Sequence, residues 1–156
     1  MTRYSFKIFC VAFSACFCCA GSLLAEDNNP HTDRMMNGKL NLTQEWDKVF
    51  PKSDKVTHRK VSFRNRYGIM LAADLYMPRN VNEKLPAIAV SGPFGAVKEQ
   101  SAGLYAQTMA ERGFLTIAFD PSYTGESGGF PRYVASPDIN TEDFCAAVDY
   151  LSTRDD

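Results

Sequence analysis

Two stretches of the sequence contain residue types and spacings that could support chemistry. The first, SGPFGAVKEQ at residues 91–100, follows the apolar run Ala87–Val90 and precedes a helical pattern. A glycine-containing loop between a strand and a helix can bind a phosphate, donate backbone N–H groups to a reacting oxygen, or simply reverse the chain. The nucleotide-binding patterns fail on spacing, because Gly92 and Gly95 are too close for a P-loop and Pro93 interrupts the only dinucleotide-type candidate.

The surviving chemical interpretation of this loop is donation to an oxyanion. In acyl-transfer hydrolases, a loop after an early strand supplies one backbone N–H to the oxygen that becomes negative. Pro93 has no N–H, so Phe94 is the first possible donor and Gly95 the next. On spacing alone, a simple Gly-Pro turn is the favoured alternative.

The second stretch is GESGG at residues 125–129, which fits the G-x-S-x-G pattern of a nucleophile elbow. An elbow needs its serine directly between a strand and a helix. Here residues 121–124 separate the motif from the preceding strand, and Phe130-Pro131 follow instead of a helix. We therefore interpret Ser127 as a loop residue, and we expect the Asp120 carboxylate to fix this glycine-rich loop rather than to react.

The remaining reactive side chains form no recognisable site. His31 and His58 are predicted to be surface imidazoles, and Cys145 is predicted to be a small buried thiol. Two separated histidines and one cysteine do not make a metal-ligand cluster, so neither a metal nor another cofactor is expected.

The first 25 residues have the layout of a secretory signal peptide. Arg3 and Lys7 precede an apolar run, and Ala25 stands just before an acidic pair, which predicts cleavage after Ala25 and export to the periplasm or the medium. The segment is too short for a comfortable membrane span. A weaker pattern around Cys16 leaves a lipoprotein anchor as the alternative.

Charge and cysteine content narrow the function classes further. The net charge of −1 and the lack of a basic stripe argue against a nucleic-acid partner. Four of the five cysteines lie in the predicted signal peptide, and Cys145 alone would remain in the mature chain, so an internal disulfide is not expected.

The elements that would position these loops can be read from the hydrophobic pattern. Residues 26–55 form a polar leader in which Trp46, Val49 and Phe50 are expected to pack on the domain edge. Residues 56–156 form one α/β domain. Its first predicted elements are an antiparallel hairpin that turns at residues 65–68 and a strand at 87–90. A helix then begins at Val97 or Lys98 and ends before Gly113, and a buried strand follows at 114–119. The last element is a helix capped by Asn140 or Thr141, whose buried face is expected to carry Phe144, Val148 and Leu151.

A hairpin followed by strand, helix, strand and helix predicts a largely parallel sheet with right-handed crossovers. In such a sheet another strand is expected after the last helix, but the sequence stops at Asp156. We therefore expect the sheet to be incomplete, with an exposed apolar edge.

Three segments together carry a family resemblance: AVSGPFGAVKEQ, ERGFLTIAFDPSYTGESGG and DFCAAVDYL. From Val56 to the last residue, the chain resembles the N-terminal half of an α/β-hydrolase, closest to the dienelactone-hydrolase-like and Xaa-Pro-peptidase-like bacterial branch. The resemblance implies an eight-stranded, mostly parallel sheet. It also puts Phe94 in the oxyanion loop and residues 120–129 in the loop after the fourth strand.

The same resemblance implies an exported hydrolase of carboxylic esters or related acyl bonds, acting on a small acyl or peptide substrate. In that family a serine or cysteine nucleophile follows on the fifth strand, and the acid and histidine come later. All three would lie beyond Asp156, so no catalytic residue is expected within this chain and the 156-residue chain alone is predicted to be inactive. The alternative is a truncated, non-catalytic α/β fragment or binding module.

Overall fold

The structure is a computed structural model that describes residues 40–81 and 84–154. Four strands form one mixed sheet with two helices. In chain order the elements are β1 (Val56–Arg64), β2 (Met70–Pro78), β3 (Ala87–Val90), α1 (Ser101–Ala110), β4 (Leu115–Phe119) and α2 (Pro137–Ser152). The strand order is β1-β2-β4-β3, so the predicted hairpin and the strand–helix–strand–helix sequence are confirmed.

The hairpin of β1 and β2 is the most regular part of the sheet. Its antiparallel register runs from Val56 opposite Pro78 to Arg64 opposite Met70. The turn between them is fixed by Asn65, whose side-chain oxygen accepts the N–H groups of Tyr67 and Ile69 at 3.1 and 2.9 Å. An asparagine that bonds to its own following backbone is a common way of closing a turn.

Strand β4 occupies the middle of the sheet and all five of its residues are buried, as its continuous apolar sequence predicts. It pairs antiparallel with β2 and parallel with β3. Among the described residues, β3 pairs with β4 alone, so its other edge is open. The two loops discussed below follow the carboxyl ends of these parallel neighbours, β3 and β4, and so meet at one edge of the sheet.

The two helices cover opposite faces of the sheet, because successive strand residues alternate between faces. On one face α2 packs on a cluster made mainly by β2 and β4. On the other face α1 uses Ala102, Ala106 and Ala110 against Tyr76 and Ala118. These small residues let α1 lie close to the sheet, and the Thr116 hydroxyl bonds to the Ala106 carbonyl at 2.8 Å.

Helix α2 differs from its prediction in both start and orientation. It begins at Pro137 after Ser136, and Phe144, Val148 and Cys145 are exposed rather than buried. The polar residue Asp143 is buried instead, because it accepts hydrogen bonds from the Asn65 side chain and from the Ser122 backbone and hydroxyl. These bonds, which the helical period does not reveal, determine which face of α2 points inward.

Helix α1 also begins later than predicted, at Ser101 rather than at Val97 or Lys98. Residues 97–100 form a separate turn, in which the Gln100 N–H bonds to the Val97 carbonyl at 3.1 Å, while the Lys98 N–H donates to Asp120 of the neighbouring loop. Ahead of β1, Phe50 is buried and its carbonyl accepts the Trp46 indole N–H, whereas Val49 is exposed. Within residues 40–81 and 84–154, no helix has the length and apolar character needed to cross a membrane.

Candidate functional site

The β3–α1 loop (residues 91–100) presents backbone donors at the edge of the sheet. The Ala96 N–H bonds to the Pro93 carbonyl at 3.0 Å, and the Lys98 N–H bonds to Asp120 Oδ1 at 2.8 Å. The Phe94 and Gly95 N–H groups donate to no acceptor within the part of the chain that the structure describes. The two predicted donors are therefore available to an external oxygen.

Asp120 joins this loop to the β4–α2 loop (residues 120–136). Its Oδ1 accepts the Lys98 N–H, while its Oδ2 accepts the Lys98 ammonium at 2.8 Å and the Glu126 N–H at 2.9 Å. The Asp120 side chain is fully buried. Its carboxylate thus holds two segments that lie more than twenty residues apart, and a direct role in attacking a substrate would require it to leave three donors.

Gly125 lets the second loop pass close to that carboxylate. Its φ is +54°, and a Cβ at this position would lie 2.2 Å from Asp120 Oδ2. Both the left-handed backbone and the close approach require glycine. The Arg132 guanidinium braces the same loop by donating to the carbonyls of Gly125 at 2.6 Å and Ser127 at 2.5 Å.

Ser127 belongs to this brace and not to a nucleophile elbow. Its side-chain oxygen accepts the Ala72 N–H at 2.8 Å and its hydroxyl donates to the Asp120 carbonyl at 2.7 Å. The residue is only 2% exposed. A hydroxyl engaged on both sides and shielded from substrate cannot attack an acyl carbon, which agrees with its interpretation as a loop residue.

A cluster of charged side chains, centred on the buried ammonium groups of Lys60 and Lys98, lies behind the two loops. Lys98 bonds through its ammonium to Glu99 at 2.5 Å and to Glu126 at 2.7 Å, in addition to Asp120. Lys60, from β1, bonds to Asp47 at 2.5 Å and to Glu126 at 2.7 Å. The cluster therefore connects the segment before β1, the first strand and both loops.

Three carboxylates of this cluster, from Asp47, Glu99 and Glu126, come within 4.8 Å of one another, which is a spacing that could suit a metal ion. Each of the three already has an ammonium partner: Lys60 bonds to Asp47 at 2.5 Å, Lys98 bonds to Glu99 at 2.5 Å, and both bond to Glu126 at 2.7 Å. Two buried ammonium ions compete with a cation for the same oxygens. We therefore interpret the group as an ion-pair network that stabilises the loops.

The pKa values follow from this arrangement. Burial opposes the charge of Lys98, but Asp120 and then Glu126 and Glu99 outweigh it and hold its pKa well above the ordinary value. Burial likewise opposes ionisation of Asp47, yet hydrogen bonds from Lys48 and Lys60 lower its pKa to about 2. The pKa of Glu126 is lowered for the same reason, by Lys60 and Lys98 against the effect of burial.

The prediction for His58 was wrong. Its side chain is only 3% exposed and its Nε2 lies 2.7 Å from Asp74 Oδ1, to which the Lys48 ammonium also bonds at 3.0 Å. His58 and Lys60 lie on the same side of β1 as the buried Val56, and His58 faces Tyr76 across the hairpin. The alternation from Val56 was the signal that both side chains point inward, whereas their polarity suggested the surface.

A cavity of about 530 Å³ lies between the two loops. The first loop contributes a continuous wall, and the second loop and the start of α2 contribute the rest. The lining residues are Gly92, Pro93, Phe94, Gly95, Ala96, Val97, Pro121, Thr124, Gly125, Tyr133, Val134, Ala135 and Asn140. The predicted donors Phe94 and Gly95 thus border the cavity, while Asp120 lies behind its wall and is not among the lining residues.

Comparison with known proteins identifies a family model and several similar proteins. The family model for X-Pro dipeptidyl-peptidase (S15 family) matches residues 67–156. The uncharacterized protein PA2218 of Pseudomonas aeruginosa is 76% identical over 117 residues, which are 74% of this chain and 32% of that protein. The crystal structure of PA2218 superimposes with a TM-score of 0.73, at 74% identity, over 75% of this chain and 37% of that chain.

Two further relatives have named activities or folds. The thiohydrolase aneE of Aspergillus aculeatus is 31% identical over 99 residues, covering 64% of this chain and 30% of that protein. The α/β hydrolase GrgF of Penicillium shares the fold, with a TM-score of 0.57 and 23% identity over 63% of this chain and 33% of that chain. The chain spans about a third of the length of the curated relatives it matches.

Proposed function

The chain belongs to the X-Pro dipeptidyl-peptidase (S15) family of α/β-hydrolases, and we propose on that basis that it forms the N-terminal part of a hydrolase of carboxylic esters or related acyl bonds. Its share of that enzyme would be the oxyanion loop and the frame that holds it. The nucleophile, serine or cysteine, and its acid and histidine would come from a later part of a longer protein. The 156-residue chain alone would then be inactive.

The observation that carries this proposal is the pair of free amides at Phe94 and Gly95, which border the cavity between the loops. When a nucleophile attacks an acyl carbon, the carbonyl oxygen becomes an oxyanion, and fixed N–H donors stabilise that charge better than they stabilise the uncharged carbonyl. Collapse of the tetrahedral intermediate expels the alcohol, thiol or amine. Water then hydrolyses the acyl-enzyme.

The open edge of β3 also supports a longer sheet. β3 has the apolar sequence Ala-Ile-Ala-Val, and within the described residues its outer edge has no strand partner. Nearby, α2 exposes Phe144 and Val148. Proteins normally protect an apolar edge strand, so a further strand beside β3 would complete the fold and could carry the nucleophile.

A chimera tests the proposal. The N-terminal third of PA2218 would be replaced by the matching residues of this chain, and hydrolysis of p-nitrophenyl acetate and an acyl thioester would be measured, with PA2218 itself as the reference. We expect the chimera to hydrolyse whatever the reference hydrolyses, and the 156-residue chain to hydrolyse neither. An active reference with a folded but inactive chimera would contradict the assignment of this chain. A reference that is inactive on both substrates would contradict the ester and thioester specificity.

Two substitutions at one position then test the donor. Phe94→Pro removes the N–H, whereas Phe94→Ala keeps it and removes only the ring. Loss of one oxyanion donor lowers kcat by about 10²–10³. We therefore expect that loss in the Phe94→Pro chimera, and a far smaller change in kcat for Phe94→Ala. Equal effects of the two substitutions would refute donation by this amide.

We also propose that residues 1–25, which lie outside the described residues, direct export and are removed. The sequence pattern is the only support for this step. Mass spectrometry of the protein from its host should find Glu26 at the N-terminus. An intact Met1 would contradict export by this signal, and a lipid-modified Cys16 at the N-terminus would establish the anchored alternative.

A further inference from the structure

The cavity between the two loops has an unusual distribution of charge. Among the described residues that line it, none has a charged side chain. Four charged residues of the same two loops, Lys98, Glu99, Asp120 and Glu126, instead form an ion-pair network behind the wall, and the fifth, Arg132, donates to the carbonyls of Gly125 and Ser127. The two loops therefore contain several charged residues, but none of their charged side chains lies on the cavity lining.

The lining is mainly apolar and partly aromatic, and its polar side-chain groups are those of Thr124, Asn140 and the Tyr133 hydroxyl. Phe94 is 74% exposed and Tyr133 is 87% exposed, and both border the opening, with Pro93, Val97 and Val134 among the other wall residues. Large apolar side chains exposed together at a concave site mark a place where something binds. A volume of about 530 Å³ lies in the range of small-molecule sites and can hold an acyl or aryl group of several carbon atoms.

An ionic group would be disfavoured in this cavity. A carboxylate or ammonium that enters on the acyl side, away from the Phe94 and Gly95 amides, loses water and finds no charged side chain on the lining, and burying an unpaired ion is costly. The acidic side chains that could bind a free amino terminus are already bonded to Lys60 and Lys98. An uncharged apolar group avoids this penalty and gains from leaving water.

We propose that this cavity is the binding site for the uncharged, apolar acyl or aryl part of the substrate. The proposal rests on the proposed function, because it takes the adjoining amides of Phe94 and Gly95 as the site of the reacting carbonyl. It deepens that function by naming the substrate class: esters or thioesters whose group on this side of the carbonyl is neutral. The free amino terminus of a peptide would not enter the cavity.

Binding to the 156-residue chain tests this without any hydrolysis. Three methyl esters share one ring and one carbonyl, and any charge lies on the acyl side of that carbonyl: methyl phenylacetate, methyl 4-carboxylatophenylacetate and methyl 4-(ammoniomethyl)phenylacetate. Each would be titrated into the ¹⁵N-labelled chain while the amide signals of Gly92, Gly95 and Gly125 are followed. We expect the neutral ester to shift these signals with an affinity at least about tenfold higher than either ion, a difference of about 1.4 kcal/mol.

A charge placed on the wall should reverse the preference. Val134→Lys should weaken binding of methyl phenylacetate and strengthen binding of methyl 4-carboxylatophenylacetate, each by about tenfold. Val49→Lys is the matched control, since Val49 is exposed and lies outside the cavity lining. It should leave all three affinities unchanged. If Val134→Lys does not give a dispersed amide spectrum, Tyr133→Ala takes its place and should weaken the neutral ester alone.

The outcomes separate this proposal from the hydrolase assignment. Equal affinities for the three ligands, tighter binding of an ion, or shifts confined to amides away from the cavity would each overturn the neutral site. None of these results depends on a nucleophile, so the chimera could still be active. Conversely, selective binding of the neutral ester together with an inactive chimera would leave the site established and the enzymatic assignment refuted.

Discussion

Lys98→Met should destabilise the protein strongly, because it leaves a buried carboxylate without its counter-ion. Of the three partners of the Lys98 ammonium, Glu126 and Glu99 keep Lys60 at 2.7 and 3.7 Å and are partly exposed. Asp120 is fully buried and keeps only two backbone N–H donors. Removing one partner of a buried pair costs about 3–5 kcal/mol, and the two remaining donors place the expected loss near the lower end, at about 3 kcal/mol.

Urea unfolding followed by circular dichroism measures this loss. With a slope of about 1–3 kcal/mol per molar for a domain of this size, a loss of about 3 kcal/mol moves the midpoint by roughly 1–3 M. Lys55→Met is the matched control, because Lys55 is exposed. A surface substitution of that kind changes stability by less than about 0.5 kcal/mol.

A second substitution isolates the ion pair from the loss of packing. Asp120→Asn combined with Lys98→Met removes both charges. The double variant should therefore lose less free energy of unfolding than the two single variants lose together, by at least about 1 kcal/mol. If Lys98→Met unfolds at the same midpoint as Lys55→Met, or if the two single losses simply add, the carboxylate does not depend on this ammonium and our account of the loops is wrong.

Three further predictions concern the same frame. Ser127→Ala leaves the Ala72 N–H and the Asp120 carbonyl without their side-chain partner and should lower the free energy of unfolding by about 2 kcal/mol. Because Ser127 is not the nucleophile, kcat of the chimera should stay within about threefold of the parent. A loss in kcat of about 10³-fold or more would refute this structural role. Gly125→Ala should cost at least about 2 kcal/mol more than Gly113→Ala, because both glycines have positive φ but a Cβ at Gly113 meets nothing within 4 Å; similar midpoints would contradict the close approach. Finally, Asp47 and Glu126 have folded-state pKa values below the ordinary 3.8 and 4.5. Their contribution to stability is therefore present above those ordinary values and should be lost as the pH falls from about 5 towards 2. A urea midpoint that does not change over that pH range would argue against the ion-pair network.

The parts of the fold that were predictable are those that local pattern determines. Alternation and turn residues place β1 and β2, and a short continuous apolar run identifies β4 as buried on both faces. Each of these signals depends on residues that are close in sequence. The location of the oxyanion candidates, after β3 and before α1, follows from the same reasoning.

The orientation of α2 and the start of α1 could not be predicted in that way. The first depends on the hydrogen bonds of Asp143 with Asn65 and Ser122, and the second on the turn at residues 97–100, which the Lys98 N–H ties to Asp120. A helical period shows which positions share a face, but not which face is turned inward when a polar side chain is bonded there. The exposed thiol of Cys145 is a direct consequence, since it lies on the face that Asp143 turns outward.

The burial of the charged network was hidden for a related reason. Lys48, Lys60 and Lys98 each look like a surface residue in isolation, and only their carboxylate partners make burial affordable. Those partners come from segments that the sequence separates by up to 66 residues. No local pattern predicts such a pairing. The sequence did indicate, however, that His58 and Lys60 lie on the same side of β1 as the apolar Val56 and so point inward.

Charged side chains hold the two loops together, whereas backbone N–H groups face the cavity, and this difference has a functional consequence. The ionic groups of both loops are used to hold the loops together, so the surface that faces the cavity offers backbone N–H groups and apolar side chains. A donor fixed by the main chain keeps its position when neighbouring side chains change. Under the proposed function, substitutions on the cavity wall, such as Val134→Lys, should therefore alter which substrate the chimera binds. Substitutions in the network behind the wall, such as Lys98→Met, should alter how rigidly the donors are held and so affect kcat of the chimera for every substrate alike.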